Sequence, residues 1–313
     1  MTNNHIYDLI IVGGGPGGLT AGLYASRARI DTVLVEKGAA GGQILVTDWI
    51  DNYPGFPEGI SGFDLAEKMV AQAQRFGLAI TSKTVASMDL AMEVKTISFD
   101  DGQSMQCRAV IIATGARPNR LRVPGEAELT GKGVSYCATC DGPFFRGMDI
   151  AVVGGGDTAL QEAVYLTKFA RTVTVIHRRN EFRAAPIIQE EAKAHGQVRF
   201  LLNAEVVGID GEKEVQALRI RHQDGREEVR PFQGVFIMIG ITPNSEMLPL
   251  DQIQHQQGFI VTNCMMQTNL PGVMAIGDIR YASVRQVVSA AGDGAVAGKS
   301  VEEYLDSLHR KKK

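Results

Sequence analysis

The sequence predicts an α/β fold with parallel sheets, because a strand–turn–helix–strand pattern occurs twice along the chain. In the first copy, the apolar run 8–12 has the length and composition of a buried strand. It ends in the glycine-rich turn 13–18, a helical pattern follows, and a second apolar run covers residues 32–35. A unit of about 30 residues in this order is typical of a βαβ crossover, which joins two parallel strands.

The second copy has the same order of elements. The apolar run 149–153 is followed by the turn 154–159, a helical pattern and a second strand at residues 172–176. A third landmark lies late in the chain, where the apolar run 272–276 ends in Gly277-Asp278 and a helix of small residues follows. We therefore expect two Rossmann-like domains of three layers each.

The first turn matches the glycine pattern that binds the pyrophosphate of a dinucleotide. Gly13 allows a tight turn, Gly15 lets a phosphate approach the backbone, and Gly18 lets helix and strand pack closely. The strand that follows ends in Glu36, whose carboxylate can accept hydrogen bonds from ribose hydroxyls. This combination predicts an FAD site.

The second turn differs from the first at the residues that would meet the ribose. Its second strand ends in His177-Arg178-Arg179, with Arg183 soon after, and no carboxylate stands in the position of Glu36. Guanidinium groups suit a ribose 2′-phosphate, because they form charge-assisted, bidentate hydrogen bonds. We therefore expect NADPH rather than NADH. The predicted NADPH-binding residues are Gly154, Gly156, Asp157, Thr158, His177, Arg178, Arg179 and Arg183.

Composition excludes several classes of function. The 313 residues correspond to about two domains, and 44% hydrophobic residues supply a sizeable core. A net charge of −3 does not predict a nucleic-acid-binding surface, and no apolar run reaches the ~20 residues of a membrane span. The polar segment 1–7 has no signal-peptide pattern, and four cysteines form no disulfide framework, so we expect a reducing cytoplasm.

The pair Cys137-Ala138-Thr139-Cys140 is the sharpest chemical signal in the sequence. A C-x-x-C pair can close a small disulfide ring, and an adjacent helix N-terminus would favour the attacking thiolate. A zinc site needs two further ligands at a matching spacing, whereas Cys107 and Cys264 each stand alone. The pair therefore predicts redox chemistry, and no metal site is expected.

The residues that follow the pair can each be interpreted in two ways. Asp141 can cap a turn, as Asp often does, or exchange protons with the dithiol. Phe144 and Phe145 can belong to the core or form an exposed apolar lip for a protein partner.

Besides these motifs, the chain contains, in order, Gly41-Gly42-Gln43, Asn52-Tyr53-Pro54-Gly55, Ala113-Thr114-Gly115, Gly277-Asp278 and Arg285-Gln286. Over essentially the whole chain, the complete set resembles the bacterial low-molecular-weight thioredoxin reductases. The set is far more specific than any single motif.

The resemblance implies an FAD domain in two parts, residues 1–116 and 244–313, with an NADPH domain, residues 117–243, inserted between them. It also implies a homodimer in which Cys140 faces the flavin and Cys137 attacks the disulfide of thioredoxin. By matching positions, the implied FAD contacts are Gly13, Gly14, Gly15, Pro16, Gly17, Glu36, Gly42, Gln43, Asn52, Val85, Gly277, Asp278, Arg285, Gln286 and Val287.

The predicted function is an electron path from NADPH through FAD and the cysteine pair to the disulfide of thioredoxin. One alternative is the same path serving another thioredoxin-fold or small disulfide carrier. A second, from a different class, is a non-catalytic flavin or nicotinamide redox sensor, against which the intact cysteines argue. A third is a zinc-binding module.

Overall fold

A computed structural model describes residues 5–47 and 49–311, so part of the N-terminal segment 1–7 lies outside the described residues. The strands are β1 (Ile6–Val12), β2 (Thr32–Glu36), β3 (Ala79–Ser82), β4 (Val85–Asp89), β5 (Lys95–Phe99), β6 (Ser104–Ile112), β7 (Ala116–Pro118), β8 (Val134–Ser135), β9 (Asp149–Val153), β10 (Thr172–His177), β11 (Val198–Leu202), β12 (Ala204–Asp210), β13 (Ala217–His222), β14 (Glu227–Pro231), β15 (Gly234–Ile237), β16 (Ile241–Pro243), β17 (His255–Gln256), β18 (Phe259–Ile260) and β19 (Val273–Ala275). The α-helices are α1 (Pro16–Arg27), α2 (Gly62–Arg75), α3 (Ala138–Asp141), α4 (Asp157–Leu166), α5 (Pro186–Ala194) and α6 (Val287–Lys311).

The chain divides into two compact units. The first consists of the residues up to Arg117 together with those from Thr242 onward, and the second covers Pro118–Ile241. The two chain segments that connect the units, β7 and β16, pair with each other. Each unit contains a sheet with parallel strands and α-helices, so the predicted α/β class is confirmed.

The sheet of the first unit has the strand order β3-β2-β1-β6-β5-β4. Strands β1, β2, β3 and β6 are parallel, whereas β5 and β4 extend the sheet in antiparallel fashion. The first half of β6 pairs with β5, and its second half pairs in parallel with β19. Because β1 lies between β2 and β6, the glycine turn after β1 is at the point where the connections leave in opposite directions.

The core of the first unit explains why residues 9–12 of β1 are all apolar. Leu9 and Ile11 belong to a cluster with residues of helices α1, α2 and α6. Ile10 and Val12 belong to a separate cluster with residues of β5 and β19. Because both sides of the strand are buried, no alternation of polar and apolar residues is expected in the sequence, and none occurs.

Helices α1 and α6 pack closely because small residues meet where they cross. A Cβ added to Gly294 of α6 would overlap the carbonyl oxygen of Gly17, at the start of α1. A Cβ on Gly17 would lie 3.1 Å from the carbonyl oxygen of Ala290. No helix in the described part of the chain combines the length and the apolar composition that a membrane crossing requires.

The second unit repeats the arrangement with a five-stranded sheet of order β11-β10-β9-β15-β8, in which all strands are parallel. Its central strand is also buried on both sides, since Ile150 and Val152 belong to one cluster and Ala151 and Val153 to another. A three-stranded antiparallel sheet, β12-β13-β14, adds to this unit. The second glycine turn follows β9, which lies between β10 and β15 as β1 lies between β2 and β6.

Candidate active site

The first glycine turn has the geometry that its sequence predicts. Gly13 has φ +110°, and a Cβ there would overlap the carbonyl oxygen of Ala113. A Cβ on Gly18 would overlap the carbonyl oxygen of Gly13, so this glycine permits the close contact of helix and strand. The backbone at Gly15 is open, since a Cβ there would have only the Cα of Gly42 nearby, at 3.9 Å. Pro16 opens α1, where its fixed φ suits the first helical turn.

Glu36 and Gly42 lie beside this turn. One carboxylate oxygen of Glu36 accepts a hydrogen bond from the Gly14 amide at 2.7 Å, and the other accepts one from the Gly38 amide at 3.2 Å. The Gly14 carbonyl in turn accepts a hydrogen bond from the Gly41 amide at 2.7 Å. The turn, the end of β2 and the loop at residues 41–42 therefore form one hydrogen-bonded group.

Two of the predicted FAD contacts, distant in sequence, bond to each other. The Asn52 side-chain amide donates to the side-chain oxygen of Gln286 at 3.0 Å. Gln43 donates to the carbonyl oxygen of Ala116. Val287, the first residue of α6, packs against the apolar cluster that contains Ile44.

Gly277 and Asp278 follow β19, the strand within the predicted apolar run 272–276, and lie in a short 3-10 turn. The Gly277 amide donates to Asp293 at 3.0 Å. Burial raises the pKa of Asp278, the nearby Arg285 guanidinium lowers it, and the Asp293 carboxylate raises it further. Arg285 has φ +57°, and its guanidinium stands over the Phe259 ring at 5.2 Å.

Val85 opens β4 and pairs with Phe99 of β5. Glu36 pairs with Ser82 at the end of β3, and the Lys83 amide donates to the Glu36 carbonyl at 3.1 Å. Val85 follows soon after, with a half-buried side chain. The Val85 side chain packs against the apolar cluster that contains Val12 and Val35, at the ends of β1 and β2.

Thr114, in the motif Ala113-Thr114-Gly115, lies beside the first glycine turn. Its hydroxyl oxygen is buried and has no hydrogen-bond partner in the described structure. A Cβ on Gly13 would lie 3.0 Å from the Thr114 amide nitrogen, so this residue borders the first glycine turn. A buried hydroxyl that forms no bond within the chain is a rare feature, and it could accept or donate a hydrogen bond to a ligand.

The second glycine turn presents an open backbone at Gly156. A Cβ on Gly156 would have no atom within 4 Å, whereas one on Gly154 would overlap the Met238 carbonyl. Thr158, in the first turn of α4, is exposed. A Cβ on Gly155 would overlap the imidazole of His177. The histidine ring therefore requires a glycine at position 155.

Residues 178–185, called the arginine loop below, follow β10 and bond back to the second turn. The Gly155 carbonyl accepts hydrogen bonds from the amides of Arg183 at 2.7 Å and Ala184 at 3.2 Å. The Asp157 carboxylate accepts one from the Ala185 amide at 2.7 Å. The Asn203 amide donates to the Arg179 carbonyl at 3.2 Å. The predicted NADPH residues are thus brought together around one turn.

His177 differs from the arginines that follow it. It is only 7% exposed, and its Nε2 donates to the Glu181 carbonyl at 3.1 Å. Its ring stacks on Phe182 with 5.4 Å between the centroids. Burial lowers the pKa of His177, the Glu181 bond opposes this, and Arg183, Arg179 and Arg178 lower it further. Arg178, Arg179 and Arg183 are exposed.

Cys137 and Cys140 are joined by a disulfide, with their Cα atoms 5.3 Å apart. Cys137 is the N-cap residue of α3, and the Cys140 amide donates to its sulfur at 3.3 Å. The Ser135 hydroxyl accepts from the Cys137 amide at 3.1 Å. A helix N-terminus and an amide donor both favour negative charge on a sulfur, so this geometry favours a thiolate at Cys137 once the disulfide is opened.

The disulfide segment packs on the helix that begins at the second glycine turn. Ala138 shares an apolar cluster with Ala159 and Leu166 of α4. A Cβ on Gly142 would lie 3.1 Å from Leu166. The pair and the arginine loop therefore belong to the same compact unit, whereas all residues predicted to contact FAD belong to the first unit.

The structure separates the two phenylalanines that sequence alone could not separate. Phe145 is buried and meets Phe236 edge to face at 5.1 Å, whereas Phe144 is 50% exposed. Asp141 is the last residue of α3, is half-buried, and its amide donates to the Cys137 carbonyl at 3.1 Å. Both interpretations of its carboxylate stay open.

The other two cysteines, Cys107 and Cys264, differ in exposure. Cys107 is fully buried in β6, and burial raises the pKa of its thiol to about 12, whereas Cys264 is exposed. Within residues 5–47 and 49–311, no three His, Cys, Asp or Glu side chains are grouped to hold a metal ion. The sulfurs of Cys137 and Cys140 bond to each other, so they have no further thiolate available for zinc in this state.

Comparison with known proteins gives a consistent result over nearly the whole chain. The family model described as pyridine nucleotide-disulphide oxidoreductase matches residues 7–294. The thioredoxin reductase of Listeria monocytogenes is 44% identical over 306 residues, which cover 97% of this chain and 95% of that protein. The thioredoxin reductase of Bacillus subtilis is 43% identical over 310 residues, 98% of each chain.

A solved structure agrees with the sequence matches. The crystal structure of thioredoxin reductase from Streptococcus pyogenes superposes with a TM-score of 0.94 at 43% identity, over 97% of this chain and 100% of that chain. The resemblance that the motifs predicted is therefore confirmed. The chain belongs to the pyridine nucleotide-disulphide oxidoreductase family, among the bacterial-type thioredoxin reductases.

Proposed function

We propose that this protein is an NADPH-dependent flavoprotein that reduces the disulfide of thioredoxin through FAD and the Cys137–Cys140 pair. One observation carries the proposal. A disulfide at a helix N-terminus lies in the same compact unit as a dinucleotide turn with three exposed arginines. This combination supplies a hydride-donor site and a disulfide that can exchange with a protein partner.

FAD fits the first unit on several grounds. The turn at Gly13, Gly14, Gly15, Pro16 and Gly17 has an open backbone at Gly15 for a pyrophosphate, at the start of α1. The carboxylates of Glu36 and Asp278 would accept ribose and ribitol hydroxyls. Burial raises the pKa of Asp278, and a hydroxyl donor would stabilise its charged form. The orphaned Thr114 hydroxyl would gain a partner. Gly42, Gln43, Asn52, Val85, Gly277, Arg285, Gln286 and Val287 complete the proposed FAD contacts.

NADPH fits the second unit. The backbone around Gly154 and Gly156 would hold the pyrophosphate at the start of α4, beside Thr158. Arg178, Arg179 and Arg183 would hold the 2′-phosphate, which NADH lacks. None of these three guanidiniums forms an ion pair with a residue in the described part of the chain, so their charges are available to an anion.

The thiol chemistry follows from the geometry of the pair. The first unit would hold FAD, which would supply the two-electron transfer between the NADPH hydride and the disulfide. The opened pair then has two thiols, and the Cys137 thiolate attacks a thioredoxin sulfur, which forms a mixed disulfide and releases a thioredoxin thiolate. Cys140 next attacks Cys137, so the internal disulfide forms again and thioredoxin leaves as a dithiol.

Asp141 is proposed to exchange protons with this dithiol. We expect Asp141→Asn to lower thioredoxin-dependent turnover by about 10²-fold, because the amide keeps the shape and turn-capping ability of the carboxylate but cannot take up a proton. Stopped-flow measurement of flavin reduction by NADPH should show no comparable loss. Full turnover in Asp141→Asn would leave only the capping role.

We further propose a homodimer that works in the cytoplasm with thioredoxin as its partner. Another thioredoxin-fold or small disulfide carrier remains the alternative substrate, because the mixed-disulfide chemistry requires only an accessible partner disulfide. The exposed Phe144, close in sequence to the pair, favours a protein partner over a small molecule.

The proposal is tested by the spectrum of the purified protein and an anaerobic titration with NADPH. We expect a yellow protein with about one FAD per chain. Full reduction should take about two equivalents of NADPH, because flavin and disulfide each accept two electrons. Addition of oxidised thioredoxin should then restore the oxidised spectrum. A colourless protein that FAD cannot reconstitute would refute the proposal.

A further inference from the structure

The arginine loop is held in one shape by bonds that involve no arginine side chain. Its residues at 183 and 184 donate to the Gly155 carbonyl, and Ala185 donates to the Asp157 carboxylate at 2.7 Å. In the middle of the loop, the Glu181 carbonyl accepts a hydrogen bond from the buried His177 ring at 3.1 Å. The loop is thus fastened to the glycine turn and to the end of β10 before any ligand binds.

The hydrogen bonds that hold the arginine loop lower the cost of ordering it when a ligand binds. Arg178, Arg179 and Arg183 carry like charges on a short exposed segment, and their mutual repulsion disfavours a shape in which all three converge. If the loop were disordered before binding, part of the binding free energy would be used to order it, and the affinity for a phosphate would be lower. Bonds made during folding remove that cost from the binding step.

The carboxylate of Asp157 is unsuited to direct contact with a phosphate. It is exposed in the first turn of α4, where a pyrophosphate would bind, and a carboxylate there repels phosphate. Its hydrogen bond to the Ala185 amide explains the residue in another way. The carboxylate anchors the end of the arginine loop to the helix that begins at the glycine turn.

His177 is also unsuited to direct contact. The ring is 7% exposed, fills the space beside Gly155 and stacks on Phe182. Burial favours its neutral form, so it would add no positive charge to a phosphate site. Its remaining polar contribution is the N–H that fixes Glu181, in the middle of the loop.

We propose that Asp157 and His177 are positioning residues that set the preference for a 2′-phosphorylated nucleotide by holding the arginine loop. This inference rests on the proposed NADPH function. It assigns the two residues a role through the arginines rather than through the nucleotide. The preference therefore depends on hydrogen bonds from the loop backbone as well as on the number of arginines.

The test compares Asp157→Ala with Asp157→Asn in the FAD-loaded protein, by calorimetric binding of adenosine 2′,5′-bisphosphate and of 5′-AMP. Asp157→Ala should bind the bisphosphate about tenfold more weakly, since a charge-assisted hydrogen bond is lost, while 5′-AMP binding changes less than about twofold. Asp157→Asn keeps an acceptor oxygen and should restore most of the bisphosphate affinity. Asp224→Ala is the matched control, because it removes a carboxylate–amide bond of 2.9 Å in another turn of the same unit.

Trypsin supplies a readout that does not depend on nucleotide binding. Cleavage after the arginines of the loop should be faster in Asp157→Ala than in the unmodified protein or in Asp224→Ala. A second pair, His177→Leu and His177→Gln, tests the other anchor, since the glutamine keeps an N–H donor at similar reach. We expect His177→Leu to lose bisphosphate affinity and His177→Gln to retain part of it.

The possible outcomes are distinct. If the unmodified protein binds the bisphosphate more tightly than 5′-AMP and Asp157→Ala keeps that preference, the inference is wrong and the proposed function stands. Equal losses for both ligands would also overturn it, because Asp157 would then act on the turn itself. If the unmodified protein shows no preference, the NADPH assignment fails, and the inference fails with it.

Discussion

Cys137→Ser and Cys140→Ser should each lower thioredoxin-dependent oxidation of NADPH by at least about 10³-fold. Disulfide exchange needs one sulfur to attack the partner and a second to resolve the mixed disulfide, whereas a hydroxyl does neither at neutral pH. The Cys140 amide and the helix N-terminus favour a thiolate at Cys137, and in Cys137→Ser the group at this position is a hydroxyl that stays protonated at neutral pH. Flavin reduction by NADPH requires no thiol and should persist in both variants.

Two further measurements separate the roles of the two sulfurs. Reductive titration of either variant should take about one equivalent of NADPH instead of about two, because the disulfide no longer accepts electrons. Cys140→Ser should accumulate a mixed disulfide between Cys137 and thioredoxin, visible on a non-reducing gel, while Cys137→Ser should not. Cys264→Ser removes an exposed thiol outside the pair and is the matched control. Retained turnover in either active-site variant would mean that another group performs the exchange.

The double variant Arg178→Ala with Arg179→Ala should lose most of the preference for NADPH over NADH. A hydrogen bond to a charged group contributes about 1.5–3 kcal/mol, so two lost bonds should lower kcat/KM for NADPH by about 10²- to 10⁴-fold. The value for NADH should change little, because NADH has no 2′-phosphate. Both guanidiniums are exposed, so the substitutions should leave the core unaffected.

Arg199→Ala with Arg226→Ala removes the same charge from the same unit and is the matched control. Steady-state kinetics with both nucleotides, at two salt concentrations, separate a specific loss from a general loss of positive charge, because the general effect is screened by salt. Equal efficiency with NADPH and NADH in the unmodified protein would contradict the assignment of the arginine loop to the 2′-phosphate.

Sequence reasoning succeeded where one residue type is dictated by the backbone. Gly13 needs a positive φ, Gly18 allows helix and strand to touch, and the part of a strand that is buried on both faces is apolar. These requirements are local, so they leave a readable pattern in one sequence. The disulfide between Cys137 and Cys140 is also local, since the two sulfurs are three residues apart.

Sequence reasoning did not reach features that depend on contacts between distant segments. The sequence predicts Asp157 as a nucleotide-binding residue and does not show its hydrogen bond to the Ala185 amide, because that bond joins positions 28 residues apart. Phe144 and Phe145 are equally apolar, and only the position of Phe236 decides which of them is buried. Thr114 is part of the motif Ala113-Thr114-Gly115, but the sequence does not show that its hydroxyl is buried without a partner in the described structure, because that depends on the residues packed around it.

The most direct test of the central claim measures both ends of the electron path in one vessel. Oxidised thioredoxin in excess, NADPH and a catalytic amount of the FAD-loaded protein are mixed without oxygen, and NADPH loss and new thiols are counted. We predict about two thioredoxin thiols for each NADPH oxidised, and neither change with Cys137→Ser. Loss of NADPH without thiols, or no reaction in the unmodified protein, would contradict the account.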